Sequence, residues 1–96
     1  MEGNMALLND EQIDQGLAGV QGWTRDGDRI IRKFEFEDFV EAVKFVDSLV
    51  SPAEKLGHHP DLSISWNKVE VSIFDHAEGG ITGKDFELAA EIDKLA

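Results

Sequence analysis

Two stretches near the middle of the chain, DLSISW at 61–66 and KVEVSIF at 68–74, alternate apolar and polar residues and lie almost end to end around Asn67. A period of two marks half-buried strands, and so short a connection leaves no topology but an antiparallel hairpin. With Asn67 and Lys68 as the turn, Trp66 faces Val69, Ile64 faces Val71 and Leu62 faces Ile73, so the apolar residues of both strands share one face. Continued to the open end, this register brings His59 beside His76. His58 adjoins His59, so all 3 histidines of the chain gather at the mouth of one hairpin.

The flanking sequence supplies the rest of the fold. Asn9 followed by Gln12 has the form of a capping box, and Ile13, Leu17 and Val20 then recur at helical spacing. Trp23, Thr24 and Arg25 lead into the turn Asp26-Gly27-Asp28, and Ile30 to Phe36 reads as the second strand of a first hairpin, with Arg32 interrupting the Ile30, Phe34, Phe36 face. Asp38 to Leu56 reads as the longest helix, whose apolar face is Phe39, Val43, Val46, Leu49 and Val50. Pro52 interrupts it. The spacing predicts a restart with Ser51 as cap, Pro52 at the first helical position and Glu54 closing a capping box, and Gly57 ends the helix with positive φ. A Gly-rich loop follows at 77–81, and Thr82 with Asp85 caps a third helix carrying Phe86, Leu88, Ala89, Ile92 and Leu95. The order helix, hairpin, helix, hairpin, helix predicts an α+β fold. Its four-stranded antiparallel sheet carries three helices on one face, as a single domain over residues 1–96. The other face is left for solvent or a partner.

Charge narrows the function. A net charge of -11 opposes direct contact with nucleic acid or an anionic membrane. The N-terminal sequence MEGNMALLND offers neither a signal peptide nor a membrane span, and the absence of cysteine excludes disulfides and thiolate metal sites, which together predict a cytoplasmic protein.

Adjacent His58 and His59 are poorly spaced to chelate one ion, no HxxxH pair stands on a helix, and no serine sits in a nucleophile elbow. Proton transfer is the chemistry that remains. An unperturbed imidazole titrates near pH 6.5, so one histidine can accept a proton while another donates. Glu54 and Asp85 are placed either to fix imidazole tautomers or to cap helices. Trp66 is assigned to core or rim packing. Trp23 either plugs the core, the preferred reading, or stacks on a flat ligand.

The pattern E-x-x-x-H-H-P at Glu54–Pro60, followed by Trp66, His76 and Asp85, resembles the signature of the pterin-4a-carbinolamine dehydratase family. The similarity extends through Gly22-Trp23, AEKL at 53–56 and NKV at 67–69, with Pro52 and Gly79-Gly80 as departures. The resemblance implies a hydro-lyase that dehydrates 4a-hydroxytetrahydrobiopterin to quinonoid dihydrobiopterin. Such an enzyme recycles the pterin spent by an aromatic amino acid hydroxylase and uses neither metal nor other cofactor. It further implies His58 and His76 as acid and base, His59 as a substrate-holding residue, and substrate contacts from Phe74 and Asp75 through the backbone. Homodimers or homotetramers are implied as well. Relatives of a different class act as binding modules that support transcription-factor dimers or rubisco assembly, and this is the alternative to catalysis.

Overall fold

The computed structural model describes residues 7–96, so the N-terminal segment up to Ala6 lies outside the described residues. Helix α1 covers Asp10–Gly19 and opens as expected, with the Gln12 amide donating to Asn9 Oδ1 at 2.8 Å and the Asn9 amide donating to Gln12 Oε1 at 2.9 Å. Strands β1 (Thr24–Asp26) and β2 (Arg29–Glu35) form the first hairpin, in which Gly27 adopts φ 66° at the turn. Arg32, the charged residue on the inward face of β2, is held by three partners. Its Nη1 donates to Asp93 Oδ1 at 2.9 Å and to the Gln21 carbonyl at 3.1 Å, and its guanidinium lies 4.5 Å from the Phe34 ring centroid. A side chain on Gly22, whose φ is 92°, would bring a Cβ within 2.8 Å of that guanidinium. Trp23 is buried in the core, edge-on to Phe34, and its indole N–H donates to the same Asp93 oxygen at 2.9 Å.

The segment expected as one long helix is divided into α2 (Phe39–Ser48) and α3 (Val50–Leu56), with the break at Leu49. Pro52 ends α2 four residues upstream of itself, because a proline ring crowds the carbonyl of residue i−4, here Ser48, and offers it no N–H. The restart therefore precedes the expected one. Leu49 takes the cap position without a side-chain bond, Pro52 occupies the first turn of α3 where its missing donor costs nothing, and the Ser51–Glu54 capping box does not form. The inward face is Ala42, Phe45 and Leu49, whereas Phe39 and Val50, expected inside, are 52% and 61% exposed. Phe45 packs against both Phe34 and Phe36, with centroids 4.8 and 4.9 Å away.

Strands β3 (Asp61–Ser65) and β4 (Lys68–Ile73) form the second hairpin, and the sheet order is β1-β2-β4-β3, antiparallel throughout. The register differs from the expected one by two positions. Ile64 pairs with Val69 and Leu62 with Val71, because the turn is Trp66-Asn67 rather than Asn67-Lys68. An even shift preserves the faces, so Ile30, Phe34, Val69, Val71 and Ile73 still line one side of the sheet. Trp66 is not packing residue of core or rim: it sits at the turn with φ 53° and is 64% exposed. Asn67 is buried instead, bonded twice to Phe36. The Phe36 amide donates to the Asn67 carbonyl at 2.8 Å, and Asn67 Nδ2 donates to the Phe36 carbonyl at 2.9 Å.

Helix α4 (Gly83–Leu95) completes the α+β fold. It contributes Leu88, Ala89 and Ile92 to a core shared with Ile13 of α1, the inward residues of α2 and the apolar face of the sheet. Among the described residues no helix is long and apolar enough to cross a membrane.

Candidate active site

His58 owes its position to the way α3 ends. Gly57 takes the left-handed conformation with φ 63°, its amide donates to the Glu54 carbonyl at 3.2 Å, and the His58 amide donates to the Ala53 carbonyl at 3.0 Å. This is the paired bonding of a Schellman motif, which fixes the residue after the glycine. The His58 side chain is thereby buried, and its Nε2 meets Asp85 Oδ1.

Asp85 serves two purposes at once. Thr82 and Asp85 form the expected capping box of α4, whose stronger half is the Thr82 amide donating to Asp85 Oδ2 at 2.8 Å. The reciprocal contact to Thr82 Oγ1 falls short of a full hydrogen bond, leaving that buried oxygen without a partner among the described residues. Burial raises the Asp85 pKa above its ordinary value, opposed by the bonds from His58 and Thr82 and reinforced by the negative charge of nearby Asp75. A neutral imidazole carries its one proton on either ring nitrogen, and an ionised Asp85 selects Nε2 by accepting from it. When the proton lies on His58 Nε2, the ring presents Nδ1 as a base.

His59 has the opposite environment. It is exposed, and its Nε2 lies 2.6 Å from Glu54 Oε2, also exposed. Glu54 is free for this contact because α3 starts at Val50, which removes it from the cap position. Together with Val46, Leu49, Val50, Ala53 and Leu62 the two residues border a cleft of about 230 Å³ between the helices and β3.

His76 follows β4 on an exposed stretch, with its ring centroid 4.2 Å from that of Phe74. Asp75 between them is buried and shapes the Gly-rich loop. Its amide donates to the Gly80 carbonyl at 2.7 Å, its carbonyl accepts from Gly79 at 2.7 Å, and its Oδ1 accepts from the Glu78 amide at 2.9 Å. The structure thus joins His58 to Asp85, His59 to Glu54 and His76 to Phe74, with Asp75 close enough to Asp85 to act on its charge. It does not set His59 opposite His76 in a strand ladder. Pairing ends at Asp61 with Ser72, and in the observed register Phe74 is the residue level with His59.

Arg29 was not singled out by sequence. Its guanidinium lies 4.3 Å from the Phe74 centroid, and its Nη1 donates to Ser72 Oγ at 2.8 Å and approaches Asp61 Oδ2 at 3.5 Å. The pairing of Ile30 with Ile73 puts Arg29 level with Phe74, a signal visible only once β2 is known to lie beside β4. Among the described residues, no group of three His, Cys, Asp or Glu side chains is arranged to hold a metal ion.

Comparison with known proteins follows the same lines. Residues 6–95 match the family model described as pterin 4 alpha carbinolamine dehydratase. A Thermosynechococcus vestitus protein named as a candidate pterin-4-alpha-carbinolamine dehydratase is 51% identical, over 93% of this chain and 94% of its own. A Roseiflexus castenholzii protein of the same name is 48% identical, over 94% and 97%. The crystal structure of a transcriptional coactivator/pterin dehydratase from Brucella melitensis superposes with a TM-score of 0.88 at 32% identity, covering 93% of this chain and 97% of that one. A pterin dehydratase-like protein identified as a RuBisCO assembly factor in the alpha-carboxysome superposes with a TM-score of 0.66 at 25% identity, over 79% and 90%.

Proposed function

The chain belongs to the pterin 4 alpha carbinolamine dehydratase family, and we propose that it is an active hydro-lyase converting 4a-hydroxytetrahydrobiopterin to quinonoid dihydrobiopterin. The observation that carries this reading is the buried His58–Asp85 pair, which engages one imidazole nitrogen and leaves the other for proton transfer. In the reaction the C4a–O bond breaks, a general acid protonates the departing oxygen to give water, and a base removes the N5 proton as the C4a–N5 double bond forms. His58 and His76 carry these two proton transfers, with Asp85 holding the His58 ring. His59, held by Glu54, binds the substrate, and Phe74 and Asp75 contribute backbone contacts to it. The reaction needs no electron transfer, and the reading includes no metal or other cofactor.

The same reading takes the protein as a cytoplasmic homodimer or homotetramer. Strand β3 is an edge strand in the sheet order, and Leu62 and Ile64 on it are 40% and 39% exposed, which is the kind of surface a second copy covers. The likeness to a RuBisCO assembly factor supports a second reading, an assembly module without catalysis.

Stopped-flow dehydration of a freshly generated 4a-hydroxypterin separates the two, after the uncatalysed rate is subtracted. His58→Ala and His76→Ala should each lower kcat by about 10²- to 10⁴-fold, the usual contribution of a positioned acid or base. His59→Ala should mainly raise KM. If all three variants keep the native kcat, the catalytic reading fails and the assembly reading takes its place.

A further inference from the structure

The three histidines are not held alike. His58 and His59 each have a carboxylate on Nε2, whereas His76 has no hydrogen-bonded carboxylate among the described residues and rests on the Phe74 ring, centroid to centroid 4.2 Å with the planes tilted by 43°. Phe74 in turn carries the Arg29 guanidinium 4.3 Å from its centroid. Arg29 is tied to the sheet at two points, Ser72 Oγ at 2.8 Å and Asp61 Oδ2 at 3.5 Å. Those anchors lie on β4 and β3, and Arg29 itself begins β2, so all three strands beside the site feed one stack.

From this arrangement we infer that Arg29 is a positioning residue for His76, acting through the Phe74 ring. A guanidinium is planar, stays charged at any physiological pH and is attracted to the face of an aromatic ring, so it restrains the ring without competing for its edge. Phe74, once restrained, limits the orientations open to the His76 imidazole. It does by stacking what Asp85 does for His58 by hydrogen bonding. The geometry stands on its own. Its consequence for rate rests on the dehydratase reading, in which His76 transfers a proton to or from the substrate and a displacement of about 1 Å can cost 10²-fold in rate.

Two measurements on the full chain keep the inference and that reading apart. The His76 ring protons, assigned by their loss in His76→Ala, should resonate upfield because of the Phe74 ring current. They should move towards the position of an unstacked histidine in Arg29→Met, while the His58 resonances stay in place. Arg29→Met should also lower kcat by about 10- to 100-fold, and Arg29→Lys, which restores the charge but not the planar group over the ring, should recover part of both effects. Phe74→Leu, which removes the ring and with it the ring current, gives the unstacked limit of the His76 shift, and Arg29→Lys serves if Arg29→Met fails to fold. Unchanged His76 resonances in both Arg29 variants overturn the inference, as does a shifted resonance with native kcat in an enzyme that His76→Ala inactivates. If His76→Ala is fully active while the resonances shift, the positioning stands and the role given to His76 in the reaction falls.

Discussion

Asp85 and His58, 27 residues apart in sequence, meet through one carboxylate oxygen while the other oxygen holds the Thr82 amide at 2.8 Å. Burial makes the ionised form of Asp85 costly, so its folded pKa lies above the ordinary 3.8. Between these two values the folded state binds a proton more tightly than the unfolded state. The contribution of Asp85 to stability is therefore greatest below the unfolded value and declines as pH rises through the folded one. Asp85→Asn, which keeps an oxygen for the cap, should abolish that slope. Urea unfolding of both proteins from about pH 4 to neutrality should show wild type losing stability relative to the variant as pH rises; a constant difference would contradict it.

The Glu54–His59 pair is exposed on both sides, so it should matter little to folding. Exposed ion pairs contribute about 0.2 to 1 kcal/mol. Glu54→Gln should lower the melting temperature by no more than about 5 °C and raise KM by up to about fivefold, the equivalent of about 1 kcal/mol, with kcat preserved. A fall in kcat at constant KM would instead place Glu54 in the chemical step.

Dehydratase activity should survive exhaustive dialysis against EDTA, since the described residues offer no three-ligand cluster and proton transfer by imidazoles requires none. The measurement is the initial rate before and after chelation. Loss of rate that added zinc restores would move the protein to metal-dependent chemistry.

Trp23→Phe should cost about 1 kcal/mol in urea unfolding, the net worth of its bond to Asp93, plus a smaller amount for lost ring area. Asp93 would keep Arg32, so the residual charge pair limits the damage. A loss no larger than experimental error would show the indole N–H to be dispensable.

Much of this architecture was legible in the chain because it rests on local rules. The Asn9–Gln12 box, the glycines at 27 and 57 and the alternation of β4 each appear where short-range chemistry puts them. The misplacements have two causes: at the second hairpin a distant contact decided between local options, and at Pro52 the steric effect falls four residues before the proline. Trp66 in a left-handed turn runs against its steric preference, so sequence favoured Asn67-Lys68 and the register moved by two. Pro52 ended α2 at Ser48 rather than at its own position, and the buried residues are Ala42, Phe45 and Leu49 while Phe39 and Val50 are exposed. At the site, the residue types were legible and the partners only partly so. Glu54 and Asp85 each had two chemically reasonable uses; the early start of α3 left Glu54 to His59, and Asp85 satisfies both. Arg29 was invisible because its value depends on a neighbour 45 residues away.

The two hydrogen bonds between Phe36 and Asn67 bear on how the molecule reaches this state. A hairpin closed by a two-residue turn is ordinarily a local event, complete within microseconds. Here the turn contains a tryptophan in an unfavourable backbone region, and the bonds that compensate come from the end of β2, 31 residues earlier. The β3–β4 register is therefore settled by a long loop closure, and its rate follows chain topology rather than turn propensity.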